Sequence, residues 1–498
     1  MEISMKKIAL IIPPSPFLLS ERVFPFLGIL RVAAAWEKQG TKVDVIDLGG
    51  IENYLDVVRD YMDVNAFDID FVGITFTTPQ TPNAYSIAKY IKIRRVLMGH
   101  TYPEIKLVAG GSHTTLMHTA MKRGSDRARM DVERLQEVFD VLVCGDGEYT
   151  LEEILITEKG VIDVDDRTSP FFLTNQTFTE SPNPARHLID LSSYHYTIEG
   201  VKATSLIGQL GCSMQCIFCS GRNSPYLRKT RNRTTQSIID EIEHLYLKYD
   251  YTGFMFYDDE LNINKEMIPL MNSIADLGDK YGVEWQLRGF TKAELFTDAQ
   301  AEAMVRAGFK VLLTGFESGD GRILKTIRKM ATRDDNTRCV EIAKKHGLKV
   351  KALMSMGHAG ESYESIENTK DWLLSVEPED FDCTIITCYP GSPYFDDAVK
   401  IDDHYVFTSK DTGDKLYQTN INYTKDSDHY KGIPGAYRSY VWTDHLTSKE
   451  LVVARDELEN DVRDKLNIPF NPSNPTKKYE HSYGSSRNLP DWIVRSTK

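Results

Sequence analysis

Gly211-Cys212-Ser213-Met214-Gln215-Cys216-Ile217-Phe218-Cys219 sets three of the chain's seven cysteines in a C-x3-C-x2-C pattern. Cys144, Cys339, Cys383 and Cys388 lie elsewhere. Thiolates bunched this tightly suit iron–sulfur ligation, because each iron takes a soft anionic sulfur. A 4Fe-4S cluster ligated fully by cysteine uses four such sulfurs, and this loop offers three. One iron is then open to a ligand from outside the chain, the vacancy that separates a catalytic metal from a structural one. A disulfide within the trio would strand one thiol. Structural zinc usually draws on a second Cys-x2-Cys pair, which the chain lacks.

Around this loop the composition is ordinary. The chain has 498 residues, 41% hydrophobic and 26% charged, enough for two or three globular domains. A net charge of -13 argues against a broad nucleic-acid surface, so no nucleic-acid partner is expected. No apolar run approaches the roughly 20 residues that span a bilayer, so no membrane segment is expected. Residues 1–7 lead directly into a strand-like run, which leaves no sign of a cleavable signal peptide. Seven cysteines with a bunched trio suit a reducing cytoplasm.

On the N-terminal side, short apolar runs at residues 7–12, 42–47, 69–75, 105–109 and 141–143 read as buried parallel strands. Helical spacing at residues 26–39 and 83–93 falls between them. This alternation predicts an α/β, doubly wound, Rossmann-like sheet over residues 1–150. Ligands of such sheets bind beyond the carboxyl ends of the strands. Those ends carry Pro13-Pro14-Ser15, Thr75-Phe76-Thr77-Thr78, Gly110-Gly111-Ser112-His113 and Gly145-Asp146-Gly147-Glu148. Residues 151–200, charged and broken by proline, read as a linker.

On the C-terminal side, residues 202–210 form a strand feeding the cysteine loop. Further strands are expected at 253–257, 283–287, 311–316, 349–356 and 382–387, with helices such as 298–307 and 332–346 between them. Six strand–helix units predict a partial (β/α)6, TIM-like barrel over residues 201–400, with its chemistry at the C-terminal strand ends. Those ends carry Asp258-Asp259-Glu260, Arg288, Glu317-Ser318-Gly319, His358 to Glu361, and Cys388-Tyr389. Residues 401–498 are polar and tyrosine-rich, with one helical stretch near 448–466 and a loose segment at 471–487. They read as an extension, either a substrate lid or a packing element.

The cysteine loop, with Phe218 just before its last cysteine, resembles that of the radical S-adenosylmethionine (SAM) enzymes. The resemblance implies that Cys212, Cys216 and Cys219 ligate a 4Fe-4S cluster whose open iron binds SAM, cleaved on reduction to a 5′-deoxyadenosyl radical. The acidic group Asp258, Asp259 and Glu260 matches the position that contacts the SAM ammonium. Arg288 matches a basic position near the SAM carboxylate, and Glu317 and Ser318 a position near its ribose or amino acid portion. A carboxylate for the ammonium and a guanidinium for the carboxylate are chemically consistent choices. The loop after the fifth barrel strand departs at Ala359, where relatives often carry proline.

The N-terminal half resembles the cobalamin-binding domain found ahead of many radical SAM barrels, so the resemblance runs in order from Lys7 to about Ala398. Thr75, Thr77, Gly110 and Gly111 match positions around the buried cobalamin tail, and Gly145 and Glu148, at the next strand end, are further candidates for binding it. One departure stands out. None of the twelve histidines lies in the D-x-H-x-x-G pattern that ligates cobalt from below. His113 is a neighbour of the site rather than the expected axial ligand.

The resemblance implies a cobalamin-dependent radical SAM methyltransferase acting on an unactivated carbon of a small-molecule or peptide substrate. Cys388 and Tyr389, at a strand end near the expected site, are candidate proton or hydrogen donors, with a buried structural thiol the alternative reading of Cys388. It also implies a one-electron donor such as flavodoxin or ferredoxin. The alternatives are non-methylating radical chemistry (ring contraction, cyclisation or rearrangement) and a non-catalytic cobalamin or SAM sensor.

Overall fold

The computed structural model describes residues 7–15, 21–99, 102–427, 429 and 438–469. Its first layer is a parallel six-stranded sheet made of β1 (Lys7–Ile12), β2 (Lys42–Asp47), β3 (Ile69–Thr75), β4 (Lys106–Gly110), β5 (Val141–Cys144) and β6 (Gly160–Asp163), in the order β2-β1-β3-β4-β5-β6. The inner strands β1, β3, β4 and β5 are apolar toward both faces because helices cover both. Ile8, Leu10 and Ile12 pack against Ile29, Leu30, Ala33 and Trp36 of the helix Leu27–Lys38. Ala9 and Ile11 face the opposite core, which takes in Val57, Ile87 and Leu135. The sheet is therefore doubly wound, and its strand order reverses at β1 and β3, where a crevice opens at the carboxyl ends.

The first five strands fall close to the expected apolar runs. The sixth does not. β6 lies inside the stretch expected to be a linker, pairing Val141↔Gly160 through Cys144↔Asp163. At four residues flanked by charge, it is too short for its periodicity to show. The rest of that stretch also has partners. Tyr194 donates to Asp47 at 2.6 Å, and Arg186 pairs with the buried Glu241 at 2.7 Å.

The second layer comprises β7 (Thr197–Ile198), β8 (Val201–Leu206), β11 (Gly253–Phe256), β12 (Gln286–Phe290), β13 (Phe309–Glu317), β14 (Lys349–Met356) and β15 (Asp380–Ile385). They lie in chain order, and every pair from β8 to β15 is parallel, giving half of a TIM-like barrel with helices outside. A separate antiparallel pair, β9 (Gln209–Leu210) and β10 (Arg231–Asn232), brackets the cysteine loop. The strand expected at 202–210 thus stops at Leu206, and the chain turns before the cysteines.

One strand is displaced from its expected place, and the shift matters for the site. Gly282, left-handed at φ 64, closes the helix Met267–Tyr281. Val283 and Glu284 are used in the exit from that helix, so β12 begins at Gln286. Arg288 is consequently not at a strand end. It lies within β12, in register with Met255, and points into the barrel, where it donates to the Tyr196 hydroxyl at 3.2 Å.

Beyond the barrel, β16 (Val399–Ile401), β17 (His404–Thr408), β18 (Lys415–Thr419) and β19 (Val441–Trp442) form an antiparallel sheet. The helix Ser448–Leu466 follows, its start fixed by a Thr447/Glu450 capping box. That helix stands where its spacing predicts. The segment 471–487, expected to be loose, lies outside the described residues. Arg127, on the first domain's helix Asp126–Val138, lies over the rings of Phe395 and Tyr405 at 3.5 and 4.2 Å and donates to the Phe395 carbonyl at 2.6 Å. This buried cation ties the first domain to the C-terminal sheet.

Candidate functional site

Backbone geometry sets the cysteine loop. Gly211 has φ 81, and a Cβ there would stand 2.3 Å from the Lys229 carbonyl oxygen. No L side chain fits without moving the loop. Gly211→Ala is therefore expected to lower iron and sulfide incorporation several-fold, as measured by iron analysis of reconstituted protein. Beyond the glycine, Cys212 donates its N–H to the Leu227 carbonyl at 2.9 Å and Ile217 donates to the Ile327 carbonyl at 3.0 Å. Arg228 donates to the carbonyls of Met214 and Ser213 at 3.1 and 3.0 Å.

Cys216 is buried, Cys212 half-buried and Cys219 open to solvent on one side. Surrounding protein pushes the Cys212 thiol up to about 11 and the Cys219 thiol to about 12, and burial raises Cys216 as well. The charge of Cys216 further raises Cys212 and Cys219, so the loop without metal holds thiols, and metal binding would release their protons. Among the described residues no three His, Cys, Asp or Glu side chains converge tightly enough to share one ion. A multi-iron cluster takes soft thiolates, and three free cysteines on one loop supply them. The donor set thus fits such a cluster.

The acidic group after β11 splits into different jobs. Asp258 is buried and accepts the Gly208 N–H at 2.7 Å. Asp259 accepts the Gly211 N–H at 2.7 Å. Both carboxylates therefore hold the turn into the cysteine loop. The Glu260 carboxylate has no hydrogen bond among the described residues and faces the charges of Lys329 and Lys292. Burial pushes Asp258 and Glu260 up to about 7.

A raised carboxyl pKa favours the fold below the unfolded value, and that contribution is lost as pH rises through the folded value. Without cofactors the protein is therefore expected to lose several degrees of melting temperature between about pH 4 and pH 7 from these two groups. Asp258→Asn keeps the acceptor for Gly208 and flattens this slope, which thermal melts across pH would measure.

Glu317 ends β13 at a register shift against β14, with φ 67. Strain of this kind persists where neighbours over-determine it. Here Lys329 pairs with Glu317 at 3.0 Å, and Ser355 donates to it at 2.7 Å. Ser355 also meets His358 Nε2 at 2.8 Å, and the His358 ring stands edge-on to Phe218 of the cysteine loop. Lysine contact and hydrogen bonding outweigh burial and hold Glu317 below its ordinary carboxylate range, whereas burial pushes His358 down to about 4. Ser318 turns away from this group toward Thr369, at 3.0 Å. Arg288 has no carboxylate within ion-pair distance among the described residues.

In the first domain, the carboxyl ends of the strands border a pocket of about 870 Å3, a volume that includes space open to solvent. Thr75, Gly110, Gly111, Gly145 and Glu148 line it. A Cβ added at Gly28 or Gly110 would meet nothing within 4 Å, so these glycines leave a cradle. The space fits a bulky cofactor tail. Ile207, Leu210 and Tyr226, which flank the cysteine loop, close its far side. Two buried ion pairs frame it, Arg31–Glu148 at 3.2 Å and Arg231–Asp146 at 2.6 Å.

Thr77 and His113 are not among the lining residues. Thr77 caps the turn at Thr78–Gln80. His113 is fully buried, bonded to Thr78 at 3.1 Å, and desolvated to a pKa of about 3. Its ring meets Tyr423 edge-on, and Tyr423 in turn lies tilted against Tyr389 and edge-on to His429. The Tyr389 hydroxyl lies 3.2 Å from His429 Nδ1. Cys388 is buried, its thiol pushed up to about 12, and its carbonyl accepts from Tyr423 at 3.2 Å.

The sequence reading passed over Lys292, Lys329 and Tyr226. Lys329 follows Arg328 and precedes Met330, both at positive φ, and no local pattern marks a lysine there as buried.

Residues 206–373 match the family model described as the radical SAM superfamily. The chain is 26% identical over 410 residues to a protein named uncharacterized methyltransferase PH0819 from Pyrococcus horikoshii, covering 79% of this chain and 83% of that one. It is 23% identical over 455 residues to the anaerobic magnesium-protoporphyrin IX monomethyl ester cyclase of Rubrivivax gelatinosus, covering 82% and 77%. Among solved structures, the radical S-adenosylmethionine methyltransferase TsrM from Kitasatospora setae, with cobalamin and a 4Fe-4S cluster bound, superposes with a TM-score of 0.58 at 16% identity over 78% of this chain and 77% of that one.

Proposed function

We propose that this chain, which carries a radical SAM domain at residues 206–373, is a cobalamin-dependent methyltransferase acting on an unactivated carbon. The observation that carries the proposal is the shared wall between two sites. Ile207, Leu210 and Tyr226 close the cavity at the sheet ends and flank the cysteine loop, so groups held at the two places are neighbours. When bound, the cluster with SAM supplies a carbon-centred radical and cobalamin a transferable methyl group.

The chain's own residues would hold and orient these groups. Cys212, Cys216 and Cys219 ligate the cluster. Glu260, whose carboxylate has no hydrogen-bond partner among the described residues, takes the SAM ammonium with Asp259 beside it. Arg288, a guanidinium without an ion pair inside the barrel, takes the SAM carboxylate. Lys329 and Ser355 fix the Glu317 carboxylate toward the same mouth. Gly110 and Gly111 admit the cobalamin tail. Tyr389, hydrogen-bonded to His429, is better placed than the enclosed Cys388 to give or hold a proton. The substrate is a small molecule or peptide and the setting a reducing cytoplasm, consistent with all seven cysteines being free. Among the described residues no helix is long and apolar enough to cross a membrane.

The cyclase relative favours a second reading, radical chemistry without methyl transfer. Anaerobic turnover with reductant, SAM and candidate substrates separates the two. Methyl transfer yields both S-adenosylhomocysteine and 5′-deoxyadenosine, with a product heavier by one methylene. Non-methylating chemistry yields 5′-deoxyadenosine without S-adenosylhomocysteine. Release of neither would overturn both and favour a sensor.

A further inference from the structure

The chain is acidic, with a net charge of -13, yet its surface beside the cysteine loop is basic. Arg123, Arg167, Arg222 and Arg228 border an open depression of about 740 Å3, together with Asn223, Pro225 and Asp166. Arg123 is shared with Asp397 at 3.2 Å and Asp396 at 3.5 Å. Arg167, Arg222 and Arg228 form no ion pair among the described residues. Burial, then the repelling charges of Arg228, Arg328 and Arg123, hold the Arg222 guanidinium below its ordinary range. Asp411 neutralises Arg328, and Asp166 is the one carboxylate lining the depression itself. Four guanidinium groups against Asp166 and the two carboxylates that hold Arg123 leave a small positive excess at the depression.

This patch is built onto the metal loop. Arg228 grips the Ser213 and Met214 carbonyls, directly after Cys212. Arg222 comes three residues after Cys219 and donates to Gln215, beside Cys216. A protein seated on these arginines touches the two side chains, Arg222 and Arg228, that are bonded directly to the cysteine loop.

We propose that this depression docks a small acidic one-electron carrier protein, flavin- or iron–sulfur-containing, that reduces the cluster; the inference rests on the radical SAM reading above. One electron passes from the carrier to the cluster, the carrier is oxidised by one electron, and no atom or proton is transferred. A basic site on an acidic protein steers such a partner and rejects other acidic proteins that lack a matching face.

The test follows cluster reduction by stopped-flow absorbance in reconstituted full-length protein, with reduced flavodoxin as the carrier and reduced methyl viologen, a cation, as the control. Arg167→Glu and the double variant Arg123→Glu/Arg167→Glu leave the residues that grip the loop intact. In the wild type the flavodoxin rate falls steeply as salt rises. In the double variant it is at least about tenfold lower at low salt and nearly independent of salt, while the viologen rate is maintained. An unchanged flavodoxin rate in a double variant that viologen still reduces would overturn the docking site and leave the radical SAM reading standing. A protein that assembles no cluster would fail the viologen control and sink that reading instead.

Discussion

Cys216→Ala leaves the protein unable to assemble its cluster. After anaerobic reconstitution, iron and sulfide are expected at background and the iron–sulfur absorption is absent. Cys216 is the buried member of the trio, 9% exposed, and the charges of Lys329 and Lys292 favour its thiolate. Its neighbours Cys212 and Cys219 cannot replace it, because the two remaining thiolates leave a second iron open. Alanine removes one sulfur from a site already enclosed by backbone bonds to Leu227 and Ile327, so the fold survives. Circular dichroism and a melting temperature close to wild type without cofactors would document that. Cys388→Ala serves as the contrast: a buried thiol outside the trio is lost, and cluster content is expected to hold. Retained iron–sulfur absorption in Cys216→Ala would end the account of this loop.

Gly110→Phe separates the two cofactors. Gly110 ends β4 at negative φ, lines the first-domain cavity, and a Cβ there meets nothing within 4 Å. A phenyl ring at this position extends into the cradle without straining the backbone. Corrinoid affinity is expected to fall more than about tenfold, equivalent to roughly 1.4 kcal/mol, with iron content unchanged. Gly111→Phe would be a poorer test, because φ 99 and the nearby Phe76 backbone make any side chain there a folding defect. Equal corrinoid binding by Gly110→Phe and wild type would place the tail elsewhere.

Both layers of the fold were legible in the sequence because their strands are continuous apolar runs. Lys7–Ile12, Lys42–Asp47, Ile69–Thr75 and Lys349–Met356 occur where the runs place them. What stayed hidden was hidden for physical reasons. β6 is four residues long and flanked by charge. β12 begins late because a left-handed Gly282 closes the helix before it, and this carries Arg288 from the mouth into the barrel. The four-stranded C-terminal sheet is antiparallel and half exposed, and its short strands do not rise above the tyrosine-rich background.

The site was legible wherever chemistry is concentrated in a few adjacent residues, as in the cysteine loop, Asp258 to Glu260 and Glu317. Adjacency did not reveal which carboxylate is free. Asp258 and Asp259 turned out to be bonded to the Gly208 and Gly211 amides, leaving Glu260. Lys329, Tyr226 and the arginine patch are assembled from distant segments, and only the folded chain brings them together. His113 shows the converse: a histidine beside a suggestive Gly-Gly pair, yet buried against Tyr423 and outside the cavity lining.

The most direct measurement is the cobalt and iron content, with the visible spectrum, of protein produced anaerobically with iron and cobalamin supplied. The account predicts one corrinoid and one four-iron cluster per chain, with corrinoid bands superimposed on cluster absorption. A cluster spectrum with no cobalt would contradict it. The first-domain cavity would then be a scaffold that carries no cofactor, and the chemistry of the barrel would lie outside cobalamin-dependent methyl transfer.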